Sequence, residues 1–185
     1  ISVTADTDLT LADAANGTAA GAGDLSLKAT QGQLTQGALA VINGGTGSVS
    51  LSAGTDAVLN RIQTVGNGNI DVVALTGRVD LNKEVSTADG NISVTANTNL
   101  TLADAANVTA AGAGDLSLEA TQGQLTQGAL AVINGGTGSV SLSAGTDAVL
   151  NRILTDGTGD IDVVALTGRV DLNNELSTAD GDINV

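Results

Sequence analysis

The chain has 185 residues, 42% of them hydrophobic, with 25 Gly and no Phe, Trp, Tyr, Pro, Cys, Met or His. Without His or Cys, zinc sites of the nitrogen and sulfur type, thiolate or imidazole nucleophile systems and the common axial haem ligands are excluded. Six basic residues against 20 acidic ones give a formal charge of -14, which repels phosphate backbones and anionic lipid surfaces, so neither nucleic acid nor a membrane surface is an expected partner.

A core with no aromatic side chain has to be built from Val, Ile, Leu and Ala in a narrow, regular space. Charged residues make up only 14%, which argues against disorder. No apolar run reaches the roughly 18 residues of a membrane span. The chain opens at Ile1 with no Met and no signal-like segment, and reads as a piece of something longer.

The first predicted element is Ile1-Ser2-Val3-Thr4-Ala5. Its alternation of period two marks a strand with one buried face, and the Ala suits an inward corner with little room. Leu9 and Leu11 follow after a short turn, Thr18 and Ala20 form a weaker third segment, and Gly21-Ala22-Gly23 closes the unit. The second unit has the same plan: Leu25-Ser26-Leu27-Lys28-Ala29, then Leu34, then Leu39 and Val41, closed by Asn43-Gly44-Gly45. In the third, Val49-Ser50-Leu51-Ser52-Ala53 precedes Val58, Ile62 with Thr64, and Gly66-Asn67-Gly68. In the fourth, Ile70-Asp71-Val72-Val73-Ala74 precedes Val79 with Leu81, Val85, and Asp89-Gly90. The closing glycines are read as turn positions where a positive φ is cheap.

At Ile92 the series restarts. Residues 1–94 and 92–185 align at an offset of 91 with 12 differences in 94 pairs. The organisation is therefore residues 1–91 as a first four-coil repeat, 92–182 as a second, and 183–185 as the start of a third, with unit spacings of 24, 24, 21 and 22. Ala5, Ala29, Ala53, Ala74, Ala96, Ala120, Ala144 and Ala165 should stack in one column. Asp6/Asn97, Asp8/Asn99, Lys28/Glu119, Asn69/Asp160 and Asn91/Asp182 change at positions assigned outward, whereas Gln63/Leu154 and Val65/Asp156 fit that assignment less well. Three short strands and three turns per unit make one coil of a solenoid: an all-β, single parallel β-helix of about eight coils of 21–24 residues, without helices, rising about 4.8 Å per coil.

Gly23-Asp24-Leu25-Ser26-Leu27-Lys28-Ala29 and Gly47-Ser48-Val49-Ser50-Leu51-Ser52-Ala53-Gly54-Thr55-Asp56 resemble the haemagglutinin-type repeats of bacterial filamentous adhesins. The resemblance covers the whole chain as a pattern of short degenerate units. It implies a right-handed parallel β-helix forming the shaft of a large exported, extracellular cell-surface protein, with host, partner-cell or glycan contact made by domains outside this segment. The expected partners of the segment itself are neighbouring repeats of the same chain, or further copies joined end to end. The resemblance carries over no site residue, and no catalytic, cofactor-binding or metal-ligating residue is named.

Four constellations test that reading. Asp56 with Asp80, or Asp71 with Asp89, would serve a carbohydrate-active enzyme, which needs two carboxylates at a set separation; each recurs as Asp147, Asp171, Asp162 and Asp180, so solvated turn acids are the plainer reading. The calcium-roll motif fails, since Val49 and Ile70 occupy its Asp position; Asp6 with Asp8, or Asp156, Asp160 and Asp162, leave weak calcium binding open without a defined ligand set. Arg78 and Arg169 are expected to form salt links with Asp56 and Asp147 of the preceding coil. Thr7, Thr55, Thr76, Thr98, Thr146 and Thr167 are expected to form a hydroxyl ladder between coils rather than an ice-binding face, because the outward strand pairs are not a Thr-x-Thr array. Runs such as Asn43-Gly44-Gly45-Thr46-Gly47 lack the Lys and helix of a phosphate loop.

Overall fold

A computed structural model describes all residues from Ile1 to Val185. Every ordered element is a short strand, every pairing is parallel, and there is no helix. Three sheets run the length of the molecule, with nine, eight and eight strands, and each strand pairs with its counterpart one coil away. This is a parallel β-solenoid of eight coils, numbered here by their first-sheet strands: Ser2–Ala5, Leu25–Ala29, Val49–Ala53, Ile70–Ala74, Ile92–Ala96, Leu116–Ala120, Val140–Ala144 and Ile161–Ala165, with Ile183–Asn184 stacked beyond.

The first sheet carries the strongest alternation and has the expected register. Ile70 pairs with Val49 and Ile92 and Val72 with Leu51 and Val94, all facing in, whereas Val73 faces out beside Ser52 and Thr95. The eight corner alanines form one continuous column from Ala5 to Ala165.

The second and third sheets keep the expected inward residues at Leu9, Leu11, Leu34, Val79, Leu81, Ile62, Thr64 and Val85, and depart from expectation by register elsewhere. In coil 3 the second strand is Ala57–Leu59, with Ala57 and Leu59 buried and Val58 facing out beside Asp80. In the third sheet the inward column is Gly17, Ile42, Ile62, Val85, Val108, Ile133, Ile153 and Leu176. Thr18 and Val41 therefore point away from the core, as do Gln63 and Leu154. Leu39 is 72% exposed and belongs to a turn. A strand of two or three residues carries too little periodicity to fix its own face, and a one-residue slip reverses every side chain.

Turn lengths explain the irregular spacing. Between first and second strands the coils alternate three and four residues, as in Asp6–Asp8 against Thr30–Gln33. From the third strand's last inward residue, Ala19, Gly44, Thr64 or Thr87, to the next coil they alternate five and four, so the two alternations cancel. Counted from the last inward residue of the second strand to the first inward residue of the third, all net variation lies in the second turn, whose lengths through each period are five, five, two and three residues: 12–16, 37–41, 60–61 and 82–84, with Val41 and Arg61 already paired in the third sheet.

The interior is not purely aliphatic. Gln36, Asn60, Thr64 and Thr87, with Gln127, Asn151 and Thr155 one period on, are buried, and no buried side-chain nitrogen or oxygen lacks a partner. Nor do most glycines serve a positive φ, which occurs only at Gly21, Gly45, Gly66 and Gly136.

Candidate functional site

The polar side chains are organised along the solenoid axis. Just before each first-sheet strand lies one residue of a column that reads Asp24, Ser48, Asn69, Asn91, Asp115, Ser139, Asp160 and Asp182. Each side-chain oxygen accepts the backbone N–H of the next member: Ser48 N–H to Asp24 Oδ1 at 2.9 Å, Asn69 N–H to Ser48 Oγ at 3.1 Å, Asn91 N–H to Asn69 Oδ1 at 2.8 Å. The series runs unbroken through Asp115, Ser139 and Asp160 to the N–H of Asp182. It carries the interstrand hydrogen bonding round a corner where the backbone alone leaves these donors unmatched.

One residue earlier runs a column of eight glycines: Gly23, Gly47, Gly68, Gly90, Gly114, Gly138, Gly159 and Gly181. A Cβ on any of the last seven would run into the carbonyl oxygen of the glycine one coil before it. The requirement is close backbone approach rather than special φ, and coil spacing of about 4.8 Å imposes it on every rung.

At the first turn the alternation of three and four residues has a chemical counterpart. Asp8, Asp56, Asn99 and Asp147 end the three-residue turns, and their Oδ1 atoms accept the N–H of Gln33, Arg78, Gln124 and Arg169 at 2.8, 3.0, 2.9 and 3.0 Å. The glycine before each donor, Gly32, Gly77, Gly123 or Gly168, has no space for a Cβ because the same oxygen is there. The short turn's side chain thus occupies the room that the long turn's extra residue needs.

The expected salt links are corrected by this geometry. Arg78 and Arg169 meet Asp56 and Asp147 through their backbone N–H, while their guanidinium Nε atoms turn to Asp80 and Asp171 two residues on, each at 2.8 Å. Both links bridge i to i+2 on one strand face and are solvent-exposed. Asp147 also accepts from Gln124 Nε2 at 3.3 Å. The Arg169 N–H and then the Gln124 amide hold its carboxyl below its ordinary value, against an opposing cost of desolvation that outweighs the further help of the Arg169 charge. Among the turn threonines only Thr76 and Thr167 cross to the preceding coil, donating to Gly54 and Gly145 carbonyls at 2.8 and 2.6 Å; the ladder role belongs to the Asx and Ser column.

Asp56 is taken up by the Arg78 N–H and Gln33 Nε2, and Asp80 by the Arg78 guanidinium. Asp71 stands outward between Ser50 and Ser93, whereas Asp89 lies in a third turn. Asp160 accepts from Asp182 N–H, Asp162 from the Asn184 amide at 2.8 Å, and Asp156 is exposed. Asp8 accepts the Gln33 N–H while Asp6 is exposed. No three acidic side chains converge on a point.

Two further networks escaped sequence reasoning. Gln36 sits where other coils place Leu; its Nε2 donates to the carbonyls of Ala40 and Arg61, both at 2.9 Å, its Oε1 accepts the Asn60 N–H at 2.9 Å, and Asn60 Nδ2 returns to the Gln36 carbonyl at 2.6 Å. Gln127 and Asn151 repeat the arrangement. It seals the step where a five-residue second turn is followed by one of two residues; the drop in unit spacing from 24 to 21 right after an inward Gln was the available signal. The second network is ionic: Arg61 pairs with Glu84 at 3.3 Å and Arg152 with Glu175 at 3.1 Å across neighbouring second turns.

The larger of two recesses, about 360 Å³, is the open end of the core under coil 1, lined by Ile1, Val3, Leu9, Leu11, Leu25 and Leu27. A shallower notch of about 330 Å³ is lined by Arg61, Lys83, Glu84 and Ala105. No protein-family model matches the chain, and neither a curated protein nor a solved structure matches it.

Proposed function

We propose that this solenoid is a structural shaft segment of a large exported cell-surface adhesin or fibre, acting as a stiff acidic spacer that holds a binding region away from the cell. The observation that carries the reading is the chemistry of the axial column. Asp, Asn and Ser alternate freely along it, and Asp8 is matched by Asn99 at the first turn, with the same hydrogen bond made in each case. A catalytic acid cannot be exchanged for an amide or a hydroxyl and keep its chemistry, whereas an acceptor for a backbone N–H can. These side chains join one coil to the next, which is what a rod requires.

The resemblance of Gly23–Ala29 and Gly47–Asp56 to haemagglutinin-type repeats supports the surface location and the filamentous context. Nearest-neighbour coupling between coils makes stability and length grow together as periods are added. The experiment is immunogold electron microscopy of the source cells with an antibody raised against residues 1–91. Gold strung at many points along thin surface fibres supports the shaft; gold confined to the cytoplasm overturns it.

A further inference from the structure

The second turns give one edge of the solenoid a relief that the other two edges lack. In coils 1 and 2, and again in coils 5 and 6, five-residue turns form a ridge; in coils 3 and 4, and again in 7 and 8, turns of two and three residues leave a notch. Ridge and notch are each two coils wide, about 10 Å, and repeat every four coils, about 19 Å. The ridge tips carry Leu39 and Leu130, 72% and 77% exposed, the two most exposed large apolar side chains in the molecule.

Charge along this edge also differs from the rest. Three of the six basic residues, Arg61, Lys83 and Arg152, lie in its turns, but only four of the 20 acids, Asp13, Glu84, Asp104 and Glu175. The edge is close to neutral on a body of charge -14, so it is where two such bodies meet with least repulsion. The bases are in the notches and Asp13 and Asp104 in the ridges. The notch ion pairs, Arg61 with Glu84 and Arg152 with Glu175, are half exposed, which leaves each arginine able to take a second acid at small cost.

We propose that this edge is a lateral pairing surface for a second copy of the solenoid, parallel and staggered by two coils, so that the ridge of each copy seats in the notch of the other. The stagger brings coil 1 of one copy level with coil 3 of its partner and coil 5 level with coil 7. Asp13 and Asp104 then face Arg61 and Arg152, and Leu39 lies level with Lys83, whose stem crosses the notch to the Ala38 carbonyl of its own coil 2 ridge at 2.5 Å and lines the floor that the leucine meets. An antiparallel pair in full overlap also fits ridge to notch, but sets Asp13 opposite the coil that holds Glu175 and Asp104 opposite the coil that holds Glu84, so the parallel arrangement is the one the charges favour. Pairing doubles the rod's cross-section without using either end, and it stands on the relief and charge of this edge whether or not the segment is displayed on a cell.

The test is sedimentation velocity of the 185-residue chain from about 1 to 100 μM, with negative-stain electron microscopy of the larger species. The expected species has twice the mass and a length of about 48 Å, ten coil levels, against about 77 Å for two rods joined end to end. Leu39→Asp with Leu130→Asp, both on exposed tips and checked for unchanged circular dichroism, weakens it at least tenfold, while Leu75→Asp with Leu166→Asp at the first-turn edge leaves it intact. Added salt strengthens it by screening the acidic flanks. A monomer at every concentration, or a double-mass species only in the long form, overturns the proposal. So does a short form that survives the ridge substitutions or is lost equally with the first-turn ones.

Discussion

Asp147 accepts the backbone N–H of Arg169 at 3.0 Å while the Arg169 guanidinium turns away to Asp171 at 2.8 Å. The acid and the base one coil apart are therefore joined through the main chain, and their side chains act as a coil-to-coil acceptor and an intrastrand ion pair. The carboxyl of Asp147 is held below its ordinary 3.8, chiefly by that N–H. Its contribution to stability is fully present above the ordinary value and is lost as pH falls through the lowered one. Asp147→Asn keeps an Oδ1 acceptor, as Asn99 does one period earlier, but removes the titration. The expected outcome is a smaller loss of melting temperature for the variant than for the parent below about pH 4, with similar values at pH 7. Thermal melts by circular dichroism across this range decide it, and identical acid limbs count against the assignment.

The glycine column predicts a contrast between chemically identical substitutions. Gly23 begins the column and a Cβ there meets nothing, whereas a Cβ at Gly114 runs into the carbonyl oxygen of Gly90. Gly114→Ala should cost about 1–3 kcal/mol, the usual range for overpacking, while Gly23→Ala stays within about 0.5 kcal/mol of the parent. Chemical denaturation of the two variants measures the difference; equal effects would mean that chain entropy, and not contact, selects glycine here.

At Gln36 the structure reverses what the sequence pattern suggests. The slot holds Leu in coils 1, 3, 4 and 5, so Gln36→Leu looks like a repair. In place it would strip the carbonyls of Ala40 and Arg61 and the N–H of Asn60 of their buried partners. The expected result is destabilisation of about 2–3 kcal/mol, with faster amide exchange at Asn60. A variant as stable as the parent would show that water reaches this corner.

The contrast between Ala74 and Gln36 shows what was legible. The first-sheet strands are five residues long with strict alternation, and that sufficed to place all eight corner alanines, the parallel stacking and the eight-coil organisation. Strands of two or three residues, such as Ala57–Leu59 and Val41–Asn43, carry no independent phase, and their facing is decided by turn lengths set elsewhere in the coil. The axial column of Asp24, Ser48 and Asn69 was present in the sequence as the residue before each first strand, but its role depends on a neighbour 21 to 24 residues away. Arg78 was placed beside Asp56 correctly and given the wrong contact, because coil register fixes where a backbone lies and leaves the side chain free to take the nearer acid.

The alternation of turn lengths predicts that coils are added or removed in pairs. Deleting Ile70–Asn91 removes coil 4 and sets coil 5 directly on coil 3, so that two three-residue first turns stack and Asp56 Oδ1 loses the N–H that Arg78 supplied. Deleting Ile70–Asp115 removes coils 4 and 5 and sets coil 6 on coil 3, which returns a four-residue turn to that place, with Gly123 and the Gln124 N–H positioned over Asp56 as they now lie over Asn99. Both deletions leave Gln36 with Asn60, and both follow a two-residue second turn with one of five, so they differ chiefly in phase. In a solenoid with nearest-neighbour coupling, the longer chain should otherwise be the more stable. The phase argument predicts the opposite order: the two-coil deletion melts cooperatively and somewhat below the parent, and the one-coil deletion lies lower still by about 2 kcal/mol or more, from the lost acceptor and the clash at the corner. Melts of the three chains by circular dichroism give the ranking, and a one-coil deletion more stable than the two-coil one would show that the turns adapt and the coil pair is not the unit of stacking.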